Sequence, residues 1–234
     1  MNGQSIIFTG KSPKILLTLI KTLVLLGPDP VQETELMDIL WPDAEGDKAQ
    51  WSLKTSLKRA RKLMGSIESI IVSNKTISLN YDYCFIDWLE LEENILKANK
   101  KWESALENDH LIAIDLTQKA ISCYVGDFLP GDFFWSYSKK KNDKLKSNII
   151  KAILSASNYY KKKMNLIESI KLLEKGINLD PLSEEIVINL MKAYSSKGKN
   201  IKAKKTFLEF KEKLYISLTL QPSKKTIDLF ETIN

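Results

Sequence analysis

The sequence predicts a mainly α-helical chain in two parts: a helix-turn-helix unit carrying a small β-hairpin, then an all-helical array. Three observations predict it. Apolar residues recur at helical spacing through most of the chain, one short stretch reads as a hairpin, and the C-terminal part matches itself at a spacing of 34 residues.

The elements follow in order. Ser5 to Thr9 favours a short strand, and Gly10-Lys11-Ser12-Pro13 interrupts the chain before an apolar helix marked by Ile15, Leu16, Leu19, Leu23 and Leu26. Gly27-Pro28-Asp29-Pro30 stops that helix. Glu33 to Leu40 fits a second helix with Leu36, Ile39 and Leu40 inward, and Pro42 to Gly46 makes a loop. The third helix runs from Asp47, as its N-cap, to Met64, with Gly65 as its terminator. On it Leu53, Leu57, Ala60 and Met64 form one stripe, leaving Trp51, Thr55, Lys58, Arg59 and Lys62 opposite. Ser69 to Val72 and Thr76 to Leu79, joined by Ser73-Asn74-Lys75, read as a hairpin. Strand, three helices and hairpin is the order of a winged helix-turn-helix.

From Asp87 onward the periodicity is helical, with breaks at Gly126 to Gly131, Pro181, Gly198 and Pro222. Tyr160 repeats as Tyr194, and Ile167, Ser169 and Leu173 repeat as Ile201, Ala203 and Phe207, which is tetratricopeptide spacing. Leu190, Tyr194, Gly198, Ala203 and Phe207 form one unit, closed off from the preceding one by Pro181. Helix hairpins stacked into a superhelix follow, each burying its neighbour's face. The expected division is residues 1–82 for the winged helix and 83–234 for the array.

Composition narrows the function. With 44% hydrophobic and 27% charged residues the chain is globular, and its net charge of +6 leans towards an anionic partner. Placement matters more than the total. Residues 1–80 hold ten Lys and Arg against eight Asp and Glu, yet Asp47 to Met64 carries Lys48, Lys54, Lys58, Arg59, Arg61 and Lys62 against Asp47 alone. Gln32 to Glu45 has five acids and no Lys or Arg, so it faces away from any phosphate. Two cysteines, Cys84 and Cys123, and one histidine, His110, cannot assemble a zinc site, and buried thiols in a reducing compartment are expected. The apolar run Ile15 to Leu26 is broken by Thr18, Lys21 and Thr22 and is too short to span a bilayer, so a cytoplasmic protein without cofactor or metal is expected.

Some strings mimic other chemistry. Thr9-Gly10-Lys11-Ser12 looks like the end of a phosphate-binding loop, but Ser5 stands where that loop needs glycine and Pro13 removes a cradling N–H. Asp43, Glu45 and Asp47 do not have EF-hand spacing. His110 lacks a catalytic partner, so no enzyme is read here. Trp41 and Trp51 are candidates to stack against nucleic acid; Trp41, beside an apolar helix, reads as packing, and Trp51, on the charged side, as either. Lys139, Lys140, Lys141, Lys144 and Lys146 are either a solvated helix face or a second patch for DNA.

Longer strings carry a family resemblance. LWPDAEGD (Leu40 to Asp47), followed by a basic helix ending KRARKLMG (Lys58 to Gly65), resembles the OmpR-type winged helix of Streptomyces-type antibiotic regulatory proteins. GDFLPGD (Gly126 to Asp132) with Trp135, LDPLSEE (Leu179 to Glu185), LMKAYSSKG (Leu190 to Gly198) and LQPSKKT (Leu220 to Thr226) resemble the bacterial transcriptional activator domain. Met1-Asn2-Gly3-Gln4 looks like the last turn of the N-terminal sheet with which such proteins begin. LWPDAEGD, with Cys84 before Asp87, is similar to versions at the end of long ATPase-type regulators, which implies an upstream sensor or ATPase domain.

Together these observations predict a sequence-specific transcriptional regulator binding double-stranded DNA. The third helix enters the major groove and the hairpin crosses the backbone. Lys58 and Thr55 are the candidates for base edges, and Lys54, Arg59 and Lys62 for phosphates, with Trp51 on the same side. Arg61 flanks the core stripe and either contacts DNA or pairs with an acid of its own domain. Asn74, Lys75 and Thr76 are the wing contacts. The resemblance implies activation by recruiting RNA polymerase, and binding to direct repeats as side-by-side copies. A repeat-type scaffold without DNA binding is the alternative.

Overall fold

The computed structural model describes residues 13–129 and 135–233. The expected strand Ser5 to Thr9, the opening Met1 to Gln4 and the Gly10-Lys11-Ser12 string lie outside them, as do residues 130–134 of the GDFLPGD region. Two compact units divide the described residues: one takes 13–86 with 129 and 135–138, the other 87–128 and 139–233.

In the first unit α1 (Lys14–Leu26), α2 (Glu33–Leu40) and α3 (Gly46–Met64) pack on a three-stranded antiparallel sheet. Its strands are β1 (Val31–Gln32), β2 (Ile70–Ser73) and β3 (Thr76–Leu79), in the order β1-β3-β2. Leu19, Leu23, Leu36, Leu53, Ala60, Ile70 and Ile77 are buried together as its core. The inner stripe of α1 is Leu16, Leu19, Leu23 and Leu25 with Thr22, whereas Ile15 faces outward and Leu26 is only partly covered. Thr22 is tolerated there because its hydroxyl donates to the Thr18 carbonyl at 2.8 Å.

Three local expectations are corrected. First, the N-cap of α3 is Glu45, which makes no side-chain capping bond, and Asp47 sits inside the first turn, where its charge still favours the helix dipole. Second, Ser69 belongs to a short 3-10 helix, Ile67–Ser69, so the hairpin begins at Ile70. Third, the turn has two residues, not three: Ser73 pairs with Thr76, while Asn74 and Lys75 have φ of 49° and 62°. Positive φ at both central positions is the mirror-image turn whose twist matches the strands, and Asn74 accepts it readily. β1 is an addition. It pairs Val31 with Ile77, making β3 central, with Ile77 and Leu79 buried.

The second unit is all helical: α4 (Asp87–Trp102), α5 (Glu107–Cys123), α6 (Trp135–Lys162, from Lys139 onward), α7 (Leu166–Leu179), α8 (Glu184–Ser196), α9 (Asn200–Leu218) and α10 (Lys224–Thr232). Sequential helices pack in pairs, α4 on α5, α7 on α8 and α8 on α9. The 34-residue match explains two of its positions by burial. Ser169 and Ala203 are buried small residues, and Leu173 and Phe207 buried large ones. The Ser157 and Ser169 hydroxyls meet at 2.7 Å in that interior. Ile167 and Ile201 keep the sequence spacing but are exposed. Gly176 on α7 shows how close the helices come, because a Cβ there would lie 3.0 Å from Ile186 Cδ1.

The family strings become contacts within this unit. In GDF, Asp127 accepts from the Tyr124 hydroxyl at 3.0 Å and pairs with Lys146 at 2.7 Å. Phe128 stacks on Trp88 with ring centres 4.8 Å apart, and both its backbone polar groups bond to the Asn142 amide. Glu184 of LDPLSEE accepts from the Ser223 amide at 2.7 Å and the Thr226 hydroxyl at 2.6 Å, tying that string to LQPSKKT. Burial pushes the Glu184 carboxyl up, but these bonds outweigh it and hold the group below the usual carboxylate range. In LMKAYSSKG the Tyr194 hydroxyl donates to Glu174, and Gly198, at φ 70°, turns the chain from α8 into α9.

Candidate nucleic-acid interface

α3 separates two faces. Leu53, Leu57 and Ala60 are buried with Ala49 and Ser56, and Met64 is partly covered. Opposite them, Trp51, Thr55, Lys58 and Lys62 follow at helical spacing, flanked by Lys54 and Arg59. Trp51 is 70% exposed; Lys54, Lys58, Arg59 and Lys62 are exposed and Thr55 half-buried. Among the described residues none of these four cations has an ion-pair partner, and no acid stands in the sequence between Asp47 and Glu68. Their charge is therefore uncompensated. Lys54 to Lys62 spans eight residues, about 12 Å of helix, comparable with the width of a B-form major groove.

Lys48 points to the acidic loop instead, pairing with Glu45 at 3.0 Å. Trp41 is partly buried against the first core, so its bulk serves packing.

Arg61 stands apart from the other α3 cations. It is half-buried, and its Nε and Nη2 both donate to the Ile70 carbonyl, at 3.2 and 2.7 Å. The partner within its own domain is thus a main-chain carbonyl and not an acid. This fork fixes the last turns of α3 to the first residue of β2. The signal available in sequence was position: Arg61 falls at the edge of the core stripe, where a long side chain runs along the domain surface instead of away from it.

At the hairpin tip Asn74 and Lys75 are exposed and Thr76 is half-buried, with its hydroxyl donating to the Ser73 carbonyl at 2.7 Å. The Lys75 carbonyl accepts from the Glu33 amide at 2.9 Å, so the base of the turn is held by the start of α2. The sequence reading missed that support, because β1 is two residues long and follows Pro30 in a stretch of turn-forming residues.

The remaining candidates resolve into local packing. His110 is half-buried, its ring stacked on Trp102 at 5.2 Å and its Nε2 donating to the Ser104 carbonyl at 2.8 Å. Cys84 and Cys123 are half-buried rather than buried; Cys84 donates to the Ser69 carbonyl at 3.5 Å, and burial raises its thiol above the usual range. Within the run Lys139 to Lys146, Lys141 lies over the Trp88 ring at 5.4 Å and Lys146 pairs with Asp127. Among the described residues no helix is long and apolar enough to cross a membrane.

The family model of the bacterial transcriptional activator domain matches residues 94–234. No curated protein matches the chain. Among solved structures, Mycobacterium tuberculosis EmbR in complex with a low affinity phosphopeptide shares the fold, with a TM-score of 0.65 and 17% identity. The match covers 96% of this chain and 60% of that one, so the chain spans about three fifths of its length.

Proposed function

The chain belongs to the bacterial transcriptional activator domain family, a family of transcriptional regulators, and we propose that it acts by binding double-stranded DNA through α3 and the hairpin. The observation that carries this is the outer face of α3, where Lys54, Lys58, Arg59 and Lys62 are exposed and, among the described residues, without acids to neutralise them. A scaffold of helical repeats gives that face no purpose.

In this reading Lys58 and Thr55 meet base edges in the major groove, since they occupy the middle of the outward stripe. Lys54, Arg59 and Lys62 hold phosphates, and Trp51 packs against the sugar-phosphate edge. Asn74, Lys75 and Thr76 reach the backbone from the wing. Arg61 acts from behind, keeping wing and recognition helix in register. The family supports RNA polymerase as the partner of activation and side-by-side copies on direct repeats. We place the boundary between the DNA-binding and helical domains at residues 82–87.

Titration of the chain with duplex DNA at rising salt tests the reading. Four to six phosphate contacts give a log-log slope of about −3.6 to −5.4, because each neutralised phosphate releases condensed counterion. No binding at low salt leaves the repeat scaffold as the function.

A further inference from the structure

α9 carries apolar residues on two opposite faces. Ala203, Phe207, Phe210 and Leu214 are buried inside the helical unit. On the far side Ile201, Leu208, Tyr215 and Ile216 are 86%, 55%, 56% and 73% exposed. Ile201, Leu208 and Tyr215 stand seven residues apart, so on one helix they fall in a single narrow line. A helix that is apolar on both sides is one that gets covered on both sides.

The charges around this line choose the cover. Lys204 and Lys211 flank it on one edge, and Lys205 and Glu212 flank it on the other, with Glu209 beyond them. Lys205 reaches Glu209 at 3.6 Å and Lys202 lies over the Tyr194 ring at 5.7 Å, whereas Lys204, Lys211 and Lys213 have no ion pair among the described residues. The excess extends beyond the helix, since the sequence has six lysines and no acid between Glu185 and Glu209. A second copy of the same face would bring lysines against lysines. An anionic membrane would have to accept Glu212 directly beside a stripe only one residue wide, where interfacial helices present a broad apolar face.

We infer that the outer face of α9 is a docking surface for an acidic amphipathic helix of a partner protein. The partner lays its own apolar seam along Ile201, Leu208 and Tyr215 and its flanking carboxylates beside Lys204 and Lys211. The inference is independent of DNA binding, which belongs to the other unit.

The test titrates the full chain with a labelled peptide of about three heptads, with Leu along its seam and Glu on its flanks, and with the same peptide carrying Lys for Glu. The acidic peptide is expected to bind about tenfold or more tightly than the basic one. Replacing the apolar line (Ile201→Gln with Leu208→Gln) or the flanks (Lys204→Gln with Lys211→Gln) should each weaken it by about tenfold or more. All four residues lie on the outer side of α9, so the variants should melt like the parent. Equal binding of both peptides, or binding that neither double variant changes, overturns the inference. So does a chain that sediments as a dimer which Leu208→Gln dissociates, or one that binds equimolar phosphatidylglycerol and phosphatidylcholine vesicles but not the peptide.

Discussion

α3 and α9 are both helices of 19 residues, and each buries one apolar stripe in its own unit. They differ in what they turn outward. α3 places its cations in the middle of the outer face, with Trp51 as the one large apolar side chain there, whereas α9 places an apolar line in the middle and sets its cations around the edge. Phosphate in a groove rewards the first arrangement, because charge there meets charge along the helix axis. An amphipathic partner rewards the second, since the rim screens the seam and selects its sign. Net charge alone hides this difference: residues 1–86 hold ten Lys and Arg against nine Asp and Glu, so the proposed DNA-binding unit is nearly neutral overall and polarised locally.

The inner stripes should show the largest effects. Phe207→Ala removes a ring buried in α9 and stacked on Phe230 at 4.3 Å, and should cost about 3–5 kcal/mol of stability in chemical denaturation. Leu53→Ala in α3 should cost about 2–5 kcal/mol. If either side chain were dispensable, that helix would not be anchored by the stripe described here.

The outer face of α3 should respond in binding and not in folding. Lys58→Ala is expected to weaken a preferred site by about tenfold to hundredfold and relax its sequence choice. Lys62→Ala should weaken all duplexes alike and lower the salt slope by about one. Competition binding against a site library and random duplex separates the two outcomes. Equal losses on both kinds of DNA for Lys58→Ala would move it from the bases to the phosphates.

Arg61 tests whether every cation on α3 belongs to the interface. Its Ala variant should lower stability by about 1–3 kcal/mol, because the buried Ile70 carbonyl loses both donors. Its unfolding midpoint should therefore fall while those of Lys58→Ala and Lys62→Ala stay near the parent. A stability unchanged by Arg61→Ala would return this residue to the DNA face.

How much of this was legible in the sequence follows from the range of the forces involved. The helix patterns were readable, α2 to the residue and α3 to within two at its N-cap, because a stripe of Leu and Ala at helical spacing is a local signal and Gly65 a local stop. The ordered family strings likewise carried the identity of the helical unit. The outward direction of Trp51, Lys58 and Lys62 followed from the same periodicity.

Contacts between distant segments were decided only in the tertiary structure. β1 exists because Val31 meets Ile77 across the sheet, and two residues carry no periodicity by which to announce it. Arg61 left the group of exposed cations because Ile70, nine positions away, presents a carbonyl within its reach. Ile167 and Ile201 share the repeat spacing with Ser169 and Ala203, yet helix rotation buries the small residues and exposes the isoleucines. The sequence by itself determined which residues share a face, since that depends on 3.6 residues per turn. Packing decided which segment each inner face meets, and which spaced positions such as Ile167 and Ile201 stay outside, since that depends on what another part of the chain brings against it.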